Sequence, residues 1–96
     1  MGNFDPALIE HPTNSVNFSI VHLNGIHLAF SYQTIIGYAG SEGFYIVSEN
    51  LWGPTTGKHL NFLQSDKSKR LPRADFEKYL NQAWMRFVTF NATVVV

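Results

Sequence analysis

A chain of 96 residues with 45% hydrophobic and 15% charged content is sized for one core and is too apolar to be disordered. It has no cysteine, which excludes a disulfide framework, a thiolate metal site and a cysteine nucleophile. The formal charge is zero and no apolar run approaches the roughly 18 residues of a membrane span, so neither a membrane partner nor a general nucleic-acid binder is indicated.

The zero hides an asymmetry. Residues 1–57 contain Asp5, Glu10, Glu42 and Glu49 and no Lys or Arg, while every basic residue falls between Lys58 and Arg86. That pattern fits an anion-facing surface, and it fits equally well half-buried strands followed by solvated helices. Residues 1–15 have no basic stretch leading into an apolar one, so they do not read as a secretory signal. They are expected to be an N-terminal extension ahead of a single domain over 16–96, in the cytoplasm.

From Val16 the pattern is β. VNFSIVHL and IHLAFSY flank Asn24-Gly25, a strong hairpin signal, because a type I′ turn needs positive φ at both central residues. A two-residue loop sets Leu23 opposite Ile26, Val21 opposite Leu28 and His22 opposite His27. Leu23, Val21, Ile26, Leu28, Phe30 and Tyr32 then share the expected core face. Phe18, Ile20, His22 and His27 fall on the other, apolar enough to be covered by the N-terminal segment or to form an interface with a second copy. TIIGY and FYIVSEN, joined by a glycine-rich turn, make a second strand pair.

The second half is helical. Thr55 or Thr56 is expected to cap a helix running to about Gln64, with Leu60 and Leu63 on its apolar side. Pro72 is placed to open a second helix, in which Phe76, Leu80, Ala83 and Phe87 recur at i, i+4, i+7 and i+11. The β-branched end, FVTFNATVVV, predicts an edge strand, and such an edge invites pairing with a second chain. The expected fold is α+β: an antiparallel meander of about four strands, two helices packed on one face, and a possible C-terminal edge strand.

Gly53 and the Gly57-Lys58 pair suggest a phosphate-binding loop, but the spacing fails. A P-loop needs four residues between its glycine and Gly-Lys, then Ser or Thr; here there are three, and His59 follows. What remains is a helix start with Thr55, Thr56, Gly57, Lys58 and His59, beside a Trp52 able to stack on a base. The competing reading makes the threonines caps and Trp52 core. Lys67, Lys69, Arg70 and Arg73 form a basic run that either touches a phosphate backbone or is a solvated connector. His22 and His27 alone make a poor metal site, since three or four ligands are usual. No metal, cofactor or catalytic residue is expected.

The segments FSYQT, SEN-W, TTGKHLN and RLPRADFEKYL, in that order, resemble a small domain family of unknown function encoded in bacteriophages and related mobile elements. The resemblance spans roughly Leu23 to Leu80 and is most specific over Trp52 to Asn61. It implies a phage setting and a small α+β domain, and it carries no catalytic assignment. Together these readings predict a non-enzymatic phage accessory protein that inhibits a host antiviral defence system. It would bind a defence protein or its cyclic or oligonucleotide signal, as a homo-oligomer. A nucleic-acid-binding accessory module is the alternative.

Overall fold

The computed structural model describes residues 8–95, with side chains to Phe90. The chain is α+β: one five-stranded antiparallel sheet, then two helices. Strands β1 (Leu8–Glu10), β2 (Phe18–Leu23), β3 (Ile26–Ser31), β4 (Thr34–Ala39) and β5 (Tyr45–Val47) lie in sequence order across the sheet. Helix α1 covers Pro54–Leu63 and α2 covers Arg73–Val95, separated by a 3₁₀ turn at Lys67–Lys69. The meander gains one strand over the expectation, because β1, inside the 1–15 segment, pairs with β2.

The β2–β3 hairpin has the register that its sequence dictates, with Leu23 opposite Ile26, Val21 opposite Leu28 and His22 opposite His27. Its turn differs from expectation. Gly25 has φ +100° while Asn24 is not among the positive-φ residues, which matches a type II rather than a type I′ turn. The β3–β4 turn uses Tyr32 and Gln33, and Tyr32 sits in the left-handed region at φ +55°. A bulge then breaks the register between Ala29 and Phe30, where Ile36 is the extra residue.

The two helices cover opposite faces, not one. Phe18, Ile20, Ala29, Ile36 and Val47 bury against Leu60 of α1. Ile26, Leu28 and Tyr38, from the alternate positions, pack against Phe76 of α2, with Leu80, Ala83 and Phe87 alongside. Both sides of the sheet are therefore core, which explains why neither set of alternating residues reads as polar. Phe18 and Ile20, expected at an interface, are 0% and 4% exposed, because α1 lies over them.

The helix ends also depart from the sequence reading. Gly53 is the N-cap of α1 and Pro54 its first residue, so neither threonine caps it, and no side-chain cap bond forms. Pro54, with its fixed φ and no N–H, defines the start. At α2, the Glu49 carboxylate accepts a hydrogen bond from the Arg73 N–H at 2.8 Å, placing negative charge at a helix start from 24 residues away. The C-terminal segment continues α2 to Val95 instead of forming an edge strand. Once a helix is nucleated each further residue adds a hydrogen bond within its own segment, whereas a strand needs a neighbour.

Candidate functional site

The chemistry-bearing residues gather where the β3–β4 turn meets the start of α1. A buried hydrogen-bonded triplet ties the two together: Ser31 Oγ lies 2.8 Å from Thr56 Oγ1 and 2.7 Å from His59 Nδ1. The ring of Phe18 stacks on His59 with centroids 4.6 Å apart. Burial holds the His59 pKa below the ordinary histidine value. A serine so close to a histidine has the spacing of an activated nucleophile. Here, however, the serine is shared with a threonine and 2% exposed, and the group serves to anchor α1 on β3.

Beside this anchor opens a cleft of about 310 Å³. Ser31, Ile36 and Thr56 are its buried members; Tyr32, Trp52, Pro54 and Thr55 are exposed around it. Among the described residues, no charged one lines it. Trp52 is positioned from two sides. The Asn50 side chain accepts from the Trp52 N–H at 2.9 Å and donates to the Gly53 carbonyl at 3.1 Å, closing a local turn. The Arg73 guanidinium stands over the Trp52 ring at 5.2 Å and over Phe76 at 5.0 Å.

The anion-binding set proposed from sequence is thereby divided. Trp52 and Thr55 line the cleft, and Thr56 lines it while bonding Ser31. His59 is turned into the core, Lys58 is exposed but outside the cleft lining, and Gly57 approaches Asn50. The helix start thus keeps its backbone N–H groups and loses the two side chains meant to add charge. The basic run is divided too. Lys67 and Lys69 are exposed, but Arg70 donates to Asn61 and to the Gln64 carbonyl, and Arg73 donates to the Ile35 carbonyl and pairs with Glu77.

At the opposite end of the hairpin His22 and His27 bring their Nδ1 atoms to 2.8 Å, and His22 Nε2 meets Glu10 Oε1 at 2.8 Å. A carboxylate from β1 thus joins the two histidines. Among the described residues, no group of three or more His, Asp or Glu is arranged to hold a metal ion. The His27 pKa is lowered by burial and then by His22.

Several site residues escaped the sequence reading. Ser31 and Tyr32 lie in an ordinary-looking FSYQT segment whose turn contains no Gly, Asn or Asp. Glu49 has a polar role that only the returning chain reveals, whereas Asn50 closes a local turn that its own residue type and its neighbours signal. The quoted motifs nonetheless find one meeting place: FSYQT supplies Ser31 and Tyr32, SEN-W supplies Asn50 and Trp52, TTGKHLN supplies Thr56 and His59, and RLPR supplies Arg73.

A model for a family of unknown function (DUF8033) matches residues 9–78. The chain belongs to that family. Its match takes in β1 from Ile9 and the loop to β2, which the sequence resemblance had left outside, and ends early in α2. No curated protein and no solved structure matches the chain. Among the described residues, no helix is long and apolar enough to cross a membrane.

Proposed function

We propose that the protein is a non-enzymatic phage accessory protein that inhibits a host antiviral defence system by binding one of its proteins at the Tyr32–Trp52 cleft. The observation that carries this reading is the convergence of three of the resembling segments on one cleft with two exposed aromatic residues, with Arg73 of the fourth standing over Trp52 at its edge. Exposed Tyr and Trp beside an apolar recess are the composition of a protein-binding hot spot. Such a recess takes an apolar or aromatic side chain of a partner, and it leaves the hydroxyls of Thr34 and Thr55 for polar contacts around it.

A nucleotide signal is the second reading, favoured by the start of α1. The Thr55 and Thr56 N–H groups belong to the first turn, and Trp52 stands beside them. With no cation among the described lining residues, this ranks below a protein partner. Nucleic-acid binding through Lys67, Lys69, Arg70 and Arg73 ranks lower still, because both arginines are engaged within the chain.

The test is phage plating on a host carrying a defence system, with the protein expressed in the host cytoplasm. The intact protein should restore plating and Trp52→Ala should abolish the effect, whereas Lys58→Ala should retain it. Full inhibition by Trp52→Ala would overturn the assignment to the cleft. Loss with Lys58→Ala and direct nucleotide binding by the intact protein would favour the second reading.

A further inference from the structure

Three polar side chains from β1, β2 and β3 form a chain of contacts at the turned end of the first hairpin. His22 and His27 oppose each other directly, on the same face as Ile20 and Ala29. Their rings meet edge to face with centroids 4.9 Å apart, and their Nδ1 atoms lie at 2.8 Å. On the far side of His22, Glu10 Oε1 is 2.8 Å from Nε2. A carboxylate accepts, so His22 has its hydrogen on Nε2 and, as the neutral ring, a lone pair on Nδ1. The hydrogen between the two rings then belongs to His27. The side chains of His22 and Glu10 are 27% and 52% exposed, so solutes reach the chain from solvent.

We propose that His22 and His27 chelate a divalent metal ion through their Nδ1 atoms, with Glu10 holding His22 from behind and water completing the coordination. The cation takes the place of the hydrogen between the rings, and His27 keeps its own hydrogen on Nε2. A carboxylate on the far nitrogen of a metal-bound histidine fixes the ring and strengthens it as a donor. Glu10 and His22 have that arrangement. The donor spacing selects the ion. Two nitrogens each about 2.0 Å from a metal are about 2.8 Å apart at a right angle and about 3.3 Å apart at the tetrahedral angle. The observed 2.8 Å is the right-angle value. Tetragonal ions, copper(II) and nickel(II), are therefore favoured over tetrahedral zinc, and copper(II) binds most tightly of the series. Binding requires the two rings to turn until both lone pairs face a point beside the line that joins them; the hairpin register holds the strands that carry them. Among the described residues no third side chain joins, so the site is weaker than a three-histidine centre. The hairpin turn is at the opposite end of β3 from the Tyr32–Trp52 cleft, and the site does not rest on the reading of that cleft.

Calorimetric titration of copper(II), nickel(II) and zinc(II) into the untagged full chain, with free metal reaching about 100 µM, tests this. One copper(II) ion should bind per chain, and nickel(II) should bind more tightly than zinc(II). His22→Gln and His27→Gln should each lower the copper affinity by at least about tenfold, and Glu10→Ala by about tenfold, the smaller end of the loss usual for an outer carboxylate. Circular dichroism of the three variants should be unchanged. His11→Gln should bind as the intact protein does, because His11 meets the Phe18 carbonyl at the far end of β2. In nuclear magnetic resonance, copper(II) should broaden the His22 and His27 signals first, a readout on the intact chain that stands even if a histidine variant misfolds. No uptake at the top concentration would overturn the proposal. So would uptake unaffected by either histidine substitution, uptake lost with His11→Gln, or broadening centred on His11, His59 or the N-terminus. Zinc(II) bound more tightly than nickel(II) would overturn the choice of a tetragonal ion, and full affinity in Glu10→Ala would overturn the part given to Glu10.

Discussion

Ser31 Oγ stands 2.7 Å from His59 Nδ1, joining a β3 residue to an α1 residue across 28 positions of sequence. That contact decides what the Thr-Thr-Gly-Lys-His segment does. Its second threonine and its histidine face the sheet, and its first threonine faces the cleft. Ser31→Ala should leave Thr56 and His59 short of a partner in a buried place, costing about 1–3 kcal/mol. Thr56→Ala should cost about 1 kcal/mol by the same route, and Thr55→Ala less than about 0.5 kcal/mol, because neither is a cap. Urea unfolding of the three variants checks the order, and a Thr55→Ala loss equal to that of Ser31→Ala would contradict it.

The same triplet gives stability a pH dependence. His59 is held below its ordinary pKa by burial, and His27 by burial and then by His22. The triplet can run in either direction, with His59 Nδ1 accepting from Ser31 or donating to it, and in both burial favours the neutral imidazole. The unfolded chain takes up protons near pH 6.5, while the native chain resists until lower pH. Unfolded protein thus binds more protons in that window, so stability falls as pH drops below about 6.5 and levels off below the native values. Urea midpoints between about pH 8 and pH 5 should show this decline, and His59→Asn should flatten it. A decline of the same size in His59→Asn would place its origin elsewhere.

Much of this architecture is legible in local sequence, and the remainder is hidden for identifiable reasons. Asn24-Gly25 between alternating strands specifies the hairpin register before any tertiary contact is known. Pro54 is a fair signal for the start of α1, although the adjacent threonines compete with it in any reading by residue preference. Tyr32 carries no turn signal, because its positive φ is imposed by pairing Ser31 with Thr34 on either side. Which helix covers which face cannot be read from periodicity, since both sets of alternating residues in β2 and β3 are apolar. The cleft is hidden for the same reason: its members come from two segments that meet only after α1 packs.

A side chain at Gly37 would crowd its neighbours. A Cβ there would lie 3.1 Å from Leu63 Cδ1 and 3.2 Å from Val47 Cγ1, with the Ile46 carbonyl oxygen at 3.4 Å. The glycine lets α1 sit close over β4 and β5. Gly37→Ala should destabilise by about 1–3 kcal/mol, the usual cost of overpacking a filled core. Thermal unfolding measures it, and an unchanged midpoint would mean that α1 can lift away without loss.

Arg73 is the pivot between the cleft and the second helix. Its guanidinium reaches the Ile35 carbonyl at 2.8 Å and Glu77 at 3.0 Å while covering the rings of Trp52 and Phe76. A lysine has a point charge where these contacts need a planar fork. Arg73→Lys should therefore lose about 1–2 kcal/mol of stability and loosen Trp52. Lys67→Ala and Lys69→Ala, at exposed positions, should stay within about 0.5 kcal/mol of the intact protein. Unfolding curves with tryptophan fluorescence report both effects, and equal losses at all three positions would return the basic run to a shared role.

Tyr32 separates folding from binding most sharply. A non-glycine residue at φ +55° is uncommon, and the left-handed conformation costs roughly 1–2 kcal/mol. The side chain is 54% exposed, so packing returns only part of that cost. Tyr32→Gly removes the conformational cost and adds the greater freedom of glycine in the unfolded chain, about 0.5–1 kcal/mol. The net expectation is unchanged or slightly raised stability. A residue kept for the fold alone would then be replaceable by glycine without effect on inhibition. If Tyr32 instead forms a wall for a partner's side chain, the variant should lose at least about tenfold in affinity, or about 1.4 kcal/mol, while unfolding no earlier. The measurements are a urea unfolding curve and phage plating on the defended host, both on the same preparation of variant. Early unfolding would show that the tyrosine ring stabilises the turn more than the strain opposes it. Full inhibition by a stable Tyr32→Gly would remove Tyr32 from the binding surface and leave Trp52 alone to carry it.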